Sequence, residues 1–236
     1  MLLRTLLAAS LAALLSSPTP AQDKGHEKGQ DKAHEKATTK SPVDVAKSLA
    51  SSDFKDATYG HEGKKGQVDD ASFVIAVLNG CGAKLDQSAK DSILKVGKLG
   101  SDPKEAKALV EKNDPQLAGV TDVIVKHHLG KKVELADAQP GDFVQYWKRN
   151  DKKEWYGYAF LIESVEKDKE GKNPKVKLYG AHEGKAGNPI HTSGFELTLK
   201  EEDDRKIYVA RLEPTAADKK KDEPKKDPGK KDPPKK

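Results

Sequence analysis

The chain has 236 residues, with 43 Lys and Arg against 38 Asp and Glu for a formal net charge of +5, and it is 35% hydrophobic and 34% charged. That balance is too polar for one uniformly packed globule and assigns part of the chain to disordered segments. Outside the first fifteen positions no apolar run reaches the roughly 18 residues of a membrane span, which excludes a polytopic membrane protein, and the single cysteine, Cys81, excludes an internal disulfide and a multi-cysteine zinc site.

Residues 1–21 have the layout of a secretory signal peptide. Arg4 supplies the positive start, Leu6 to Leu15 is a Leu/Ala core broken only by Ser10, and Ser16, Pro18 and Pro20 end it before small residues and Gln22. No cysteine follows the core to take a lipid, so cleavage and export are expected, with a secreted or periplasmic location and no membrane span in the mature chain. Residues 22–40 form a low-complexity tether carrying two copies of one unit, Asp23-Lys-Gly-His-Glu-Lys and Asp31-Lys-Ala-His-Glu-Lys. Weak metal binding by His26 and His34 is one reading of it. A solvated tether is the favoured one, because a flexible chain must lose entropy to form a site.

Residues 41–214 are long enough for one domain with a sizeable core. Val43 to Ser51 reads as a short amphipathic helix and Tyr59 to Gln67 as a Gly-rich loop. Ala71 to Leu78 is apolar nearly all round. The acids Asp69 and Asp70 before it and Asn79-Gly80 after it are helix punctuation, so a buried helix is expected where a short apolar run alone would also allow a buried strand. Helices follow over 86–97, over 101–112 behind the start signal Ser101-Asp102-Pro103 with Glu105, and over 115–129, closed by Gly130.

Strands are expected over 142–148, 155–166, 175–182, 195–199 and 206–212, with hairpin turns at Asn150-Asp151 and over 169–173. Helices first and a strand meander afterwards predict the α+β class, with N-terminal helices packed on a C-terminal antiparallel sheet. Residues 215–236 are a Lys/Asp/Pro tail with nine Lys against five acids. With the tail at +4, the tether at +1 and Arg4 adding +1, the body is left at −1. The basicity therefore belongs to the tails, and no nucleic-acid binding is expected of the body. Any tail contact with anionic polymer is expected to be weak and salt-dependent.

Several of these segments together resemble the NlpC/P60 family, papain-like cysteine hydrolases of the cell wall. They are Tyr59-Gly60, Val68-Asp69-Asp70-Ala71-Ser72-Phe73-Val74, Gln139-Pro140-Gly141-Asp142-Phe143-Val144 and Gly157-Tyr158-Ala159-Phe160-Leu161-Ile162. The likeness spans about Phe54 to Leu212 and implies a papain-like NlpC/P60 fold. It also implies three functional positions: Asp70 at the nucleophile's place, Tyr158 at the general base's, and His182 at that of the third polar residue.

Neither the family's Cys nor its base His is present. A carboxylate is a poor substitute for a thiolate in amide cleavage, because the acyl intermediate would be an anhydride, and a phenol does not readily accept a proton at neutral pH. Cys81 lies eleven positions beyond Asp70, roughly 16 Å along a helix, and cannot stand in. It reads as a small, partly buried side chain.

The resemblance thus implies a catalytically degenerate domain that binds a peptide, from the wall or from a protein partner, in the family's cleft. Tyr59, Asp69, Ser72 and Trp155 are the candidate binding residues, and Asp70 is expected as a negative floor that favours a cationic group. An active hydrolase with altered residues, such as an Asp70/His182 pair working on water or a metal, and a scaffold acting through its charged tails are the other two readings. The plain expectation for the pair is that Asp70 caps the helix and His182 hydrogen-bonds it. No metal or cofactor is expected. His127 and His128, near a helix end, carry little weight as ligands, and the sequence does not place His61 or His191.

Overall fold

A computed structural model describes residues 40–60, 65–167, 170–183 and 189–213. The expected signal peptide, the repeats with His26 and His34, His61, the start of the 169–173 turn and the tail 215–236 lie outside them.

The helices begin where cap chemistry places them. Ser41 caps α1 (Pro42–Ser51), its Oγ accepting from the Asp44 N–H at 3.2 Å. α2 (Asp70–Gly80) opens on a reciprocal cap. Asp69 Oδ1 accepts from the Ser72 N–H at 2.7 Å, and Ser72 Oγ accepts from the Asp69 N–H at 3.0 Å. Ala71, Phe73, Val74, Val77 and Leu78 are buried, as an all-round apolar run requires. The helix does not stop at Asn79-Gly80. Gly80 is still helical, with Val45 of α1 filling the space a Cβ there would take, and the left-handed turn comes at Gly82, φ 82°.

Asp86 caps α3 (Gln87–Gly100), which runs three residues past its expected end, and Asp102 caps α4 (Pro103–Glu111). Residues 115–129 are not one helix. Pro115–Ala118 is a 3-10 turn, and α5 spans Gly119–Lys126. Trp147 Nε1 donates to the Leu117 carbonyl at 2.7 Å, drawing that acceptor out of the α ladder. The chain then turns at His128, φ 54°, and not at Gly130.

Two short parallel strands, β1 (Thr58–Tyr59) and β2 (Gln67–Val68), flank the segment read as a loop. The main sheet holds β3 (Gly130–Lys132), β4 (Phe143–Arg149), β5 (Trp155–Glu166), β6 (Lys175–Ala181), β7 (Ile190–Thr198) and β8 (Arg205–Leu212) in the order β3-β8-β4-β5-β6-β7. All its pairings are antiparallel. The α+β class holds, but the strands are not a simple meander. β4 to β7 are one, and β8 then returns to the far side of β4, so Tyr146 pairs with Tyr158 on one flank and Ile207 on the other.

Period-2 alternation divides the sheet. Phe143, Ala159 and Leu161 pack with α2 and α5, while Trp147 and Trp155 pack with Val96, Leu99, Ala106 and Leu117. Val144, Tyr146, Phe160, Ile162, Leu178, Leu197 and Val209 form a second cluster on the opposite face. α3 reaches β5 at a glycine contact: a Cβ on Gly157 would stand 2.7 Å from the Trp147 ring, and one on Gly100 would meet the Gly157 carbonyl. The Pro-Gly-Asp turn is pinned by Asp142, 1% exposed, whose carboxylate accepts from Arg211 Nε at 2.7 Å and Nη2 at 2.9 Å. Among the described residues no helix is long and apolar enough to cross a membrane.

Candidate binding site

The site forms where β5 and β6 part. Their pairing begins only at Leu161 and Tyr179, which leaves the first half of β5 without a neighbour on that side. The N-terminus of α2 fills the gap. Asp70 Oδ2 accepts from the Ala159 N–H at 2.7 Å, so a carboxylate takes the ladder donor that a strand would otherwise take. Asp70 is 2% exposed. Burial pushes its carboxyl up to about 7, with Asp69 adding to the rise and the Ala159 N–H opposing it. The expected anionic cleft floor is therefore a walled-in carboxyl whose burial favours the neutral form.

The structure brings five of the seven expected residues together, Tyr59, Asp69, Asp70, Ser72 and Tyr158. Tyr59 on β1 and Tyr158 on β5 both feel Asp70. Burial raises the Tyr59 phenol, with the charges of Asp70 and Asp69 adding to it, and burial followed by Asp70 raises that of Tyr158. Tyr158 is held protonated and cannot serve as a base. Ser72 is taken up in the helix cap with Asp69.

Two expected residues stand elsewhere. Trp155 is buried on the helix side of β5, three positions from Tyr158 and hence on the other face, with Arg149 over its ring at 5.7 Å. His182 makes no hydrogen bond to Asp70. Its Nδ1 meets the Glu183 carbonyl at 3.4 Å, and its ring meets Phe160 edge-on, with centroids 6.2 Å apart. The helix cap is likewise Asp69, with Asp70 one residue inside.

A cavity of about 580 Å³ opens on the sheet face away from the helices. Tyr146, Tyr158, Phe160 and Leu197 give it an apolar wall, with Tyr158 stacked on Phe160 at 5.9 Å and 17°. Its charges are sorted by strand. Lys148 of β4 and Arg205 of β8 lie on one side, and Glu183 after β6 and Glu196 of β7 on the other. Arg205 is paired with Glu202 at 2.9 Å and Glu196 with Lys175, whereas Lys148 and Glu183 make no ion pair among the described residues. A second cavity of about 390 Å³, bordered by Asn150, Asp151, Tyr156 and Asp204, shares Lys148 and Tyr158 with the first. Together they form a groove from His182 to the β4–β5 turn.

Sequence reasoning missed Tyr146, Lys148, Phe160, Glu183, Glu196 and Arg205. Their convergence depends on register and on the return of β8, which no local pattern records. The remaining candidates carry little chemistry. Cys81 caps α2, and burial pushes its thiol up to about 11. His127 lies 4.0 Å from Asp86 on the surface. Among the described residues no group of three or more His, Cys, Asp or Glu is placed to hold a metal ion. No family model, curated protein or solved structure matches the chain.

Proposed function

We propose that the chain is an exported, catalytically degenerate NlpC/P60-like domain that binds an extended peptide, and that cell-wall stem peptide is its ligand. The observation that carries this is the groove built on Tyr158 and Lys148, next to a nucleophile position that Asp70 closes. Support for a papain-like arrangement comes from α2, whose N-terminus meets β5 at Ala159, one residue from Tyr158.

A degenerate role follows from the chemistry of the three positions. Asp70 is buried and hydrogen-bonded to the Ala159 N–H, Tyr158 stays protonated, and His182 makes no hydrogen bond to Asp70. Peptide binding follows from the groove's form. Aromatic side chains supply contact area at low entropy cost, and the separated charges fit a chain bearing both carboxylates and an amine. Lys148 is the expected carboxylate contact and Glu183 the expected amine contact.

Co-sedimentation of the full chain with purified peptidoglycan at two salt concentrations tests this. Binding that persists at the higher salt and drops at least about tenfold in Tyr158→Ala and Lys148→Ala is the expected result. Binding that vanishes with salt and ignores both substitutions would place the affinity in the charged tails and overturn the proposal.

A further inference from the structure

His182 and His191 stand side by side across the β6–β7 hairpin, one at the end of β6 and one within β7, with ring centroids 4.0 Å apart and planes inclined at 60°. Backbone pairing fixes them there: the His182 N–H donates to the Pro189 carbonyl at 2.8 Å, and His191 sits opposite Gly180. His182 Nδ1 faces the Glu183 carbonyl at 3.4 Å, a contact that favours the tautomer with the proton on Nδ1 and the lone pair on Nε2. Nε2 is buried and has no hydrogen-bond partner among the described residues. A buried acceptor left unmade is costly and calls for an explanation.

We propose that His182 and His191 are the protein ligands of a divalent transition-metal ion of the zinc, nickel and copper group, held at the His182 end of the groove. A neutral imidazole whose other nitrogen is anchored to a carbonyl is the usual form of a metal-binding histidine, and imidazole selects these ions over magnesium and calcium. Two imidazoles on one tetrahedral ion have their ring centroids roughly 5 Å apart, so the pair needs to open by only about 1 Å. Two protein ligands leave coordination positions for water or for a carboxylate entering the groove.

The test is titration of the full chain with Zn²⁺ and Cu²⁺, with Mg²⁺ as control, counting bound ions by calorimetry. His182→Ala and His191→Ala are each expected to lose one ion. The paired substitutions His26→Ala/His34→Ala and His127→Ala/His128→Ala are expected to keep it. Imidazole ¹⁵N spectra of the unmutated chain give a second readout that does not depend on how the variants fold: one equivalent of Zn²⁺ should move the His182 Nε2 resonance and a ring nitrogen of His191. Unmoved resonances, or an unchanged ion count in both single variants, would overturn the proposal and leave Nε2 to a buried water.

Discussion

Replacing Asp70 with Asn tests whether a buried carboxyl at the start of α2 is held neutral by its surroundings. Asn keeps an oxygen for the Ala159 N–H and removes the titration. In the folded chain burial raises the carboxyl from its ordinary 3.8 to about 7, and the groups facing it (Asp69, Tyr59 and Tyr158) offer no positive charge. Between those two pH values the unfolded chain has lost the proton and the folded chain still holds it. The stabilisation is therefore complete below 3.8 and is lost as pH rises through about 7. At 1.36 kcal/mol per pH unit this amounts to at most about 4 kcal/mol. Urea unfolding of both proteins from pH 4 to 8 at fixed ionic strength measures it. The stability of Asp70→Asn minus that of the parent should rise through this window by up to about 4 kcal/mol and level off above pH 7. Taking the difference cancels the other titrating groups, including His182. A flat or falling difference would show that Asp70 ionises normally in the folded chain and is not walled in.

Two further perturbations probe the frame and the thiol. Asp142→Ala strips Arg211 of both its carboxylate contacts and frees the Gln139 N–H, and should cost about 3 kcal/mol in urea unfolding, whereas an unchanged midpoint would mean the pair is dispensable. Cys81, with its thiol pushed up to about 11, should be about a thousandth thiolate at pH 8 and react with a disulfide reagent correspondingly slowly. Labelling at the rate of a free thiol would contradict its burial.

What the sequence reveals is what local chemistry decides. Asp69, Ser72 and the run from Ala71 to Leu78 specify α2 because caps and apolar faces need only neighbouring residues. Likewise β5 is legible over its full length, Trp155 to Glu166, between two turn-forming stretches. The position of Trp155 was also open to reading: three residues from Tyr158 on a strand is an odd step, which puts the two on opposite faces. The groove was not legible. Tyr146 meets Tyr158 through register, Arg205 arrives because β8 crosses back to β4, and His191 reaches His182 through a hairpin whose strand began five residues before its expected start. The raised proton affinity of Asp70 is invisible for the same reason, since it is created by β5 closing over a residue that is distant in sequence.

Position 70 then joins the fold and the site in a single constraint. Ala159 lies where β5 has no β6 partner, and its N–H would be an unmade buried donor without the Asp70 carboxylate. A thiol at the same place is a weak acceptor and would leave that donor poorly satisfied. On the proposed NlpC/P60-like reading, the residue best suited to nucleophilic attack and the residue best suited to closing the sheet are therefore different, and this chain carries the second. On that reading, once a carboxyl serves the sheet, a base on β5 would have no thiol to activate. Tyr158 is then free to act as an aromatic wall of the cavity, stacked on Phe160 and paired with Tyr146.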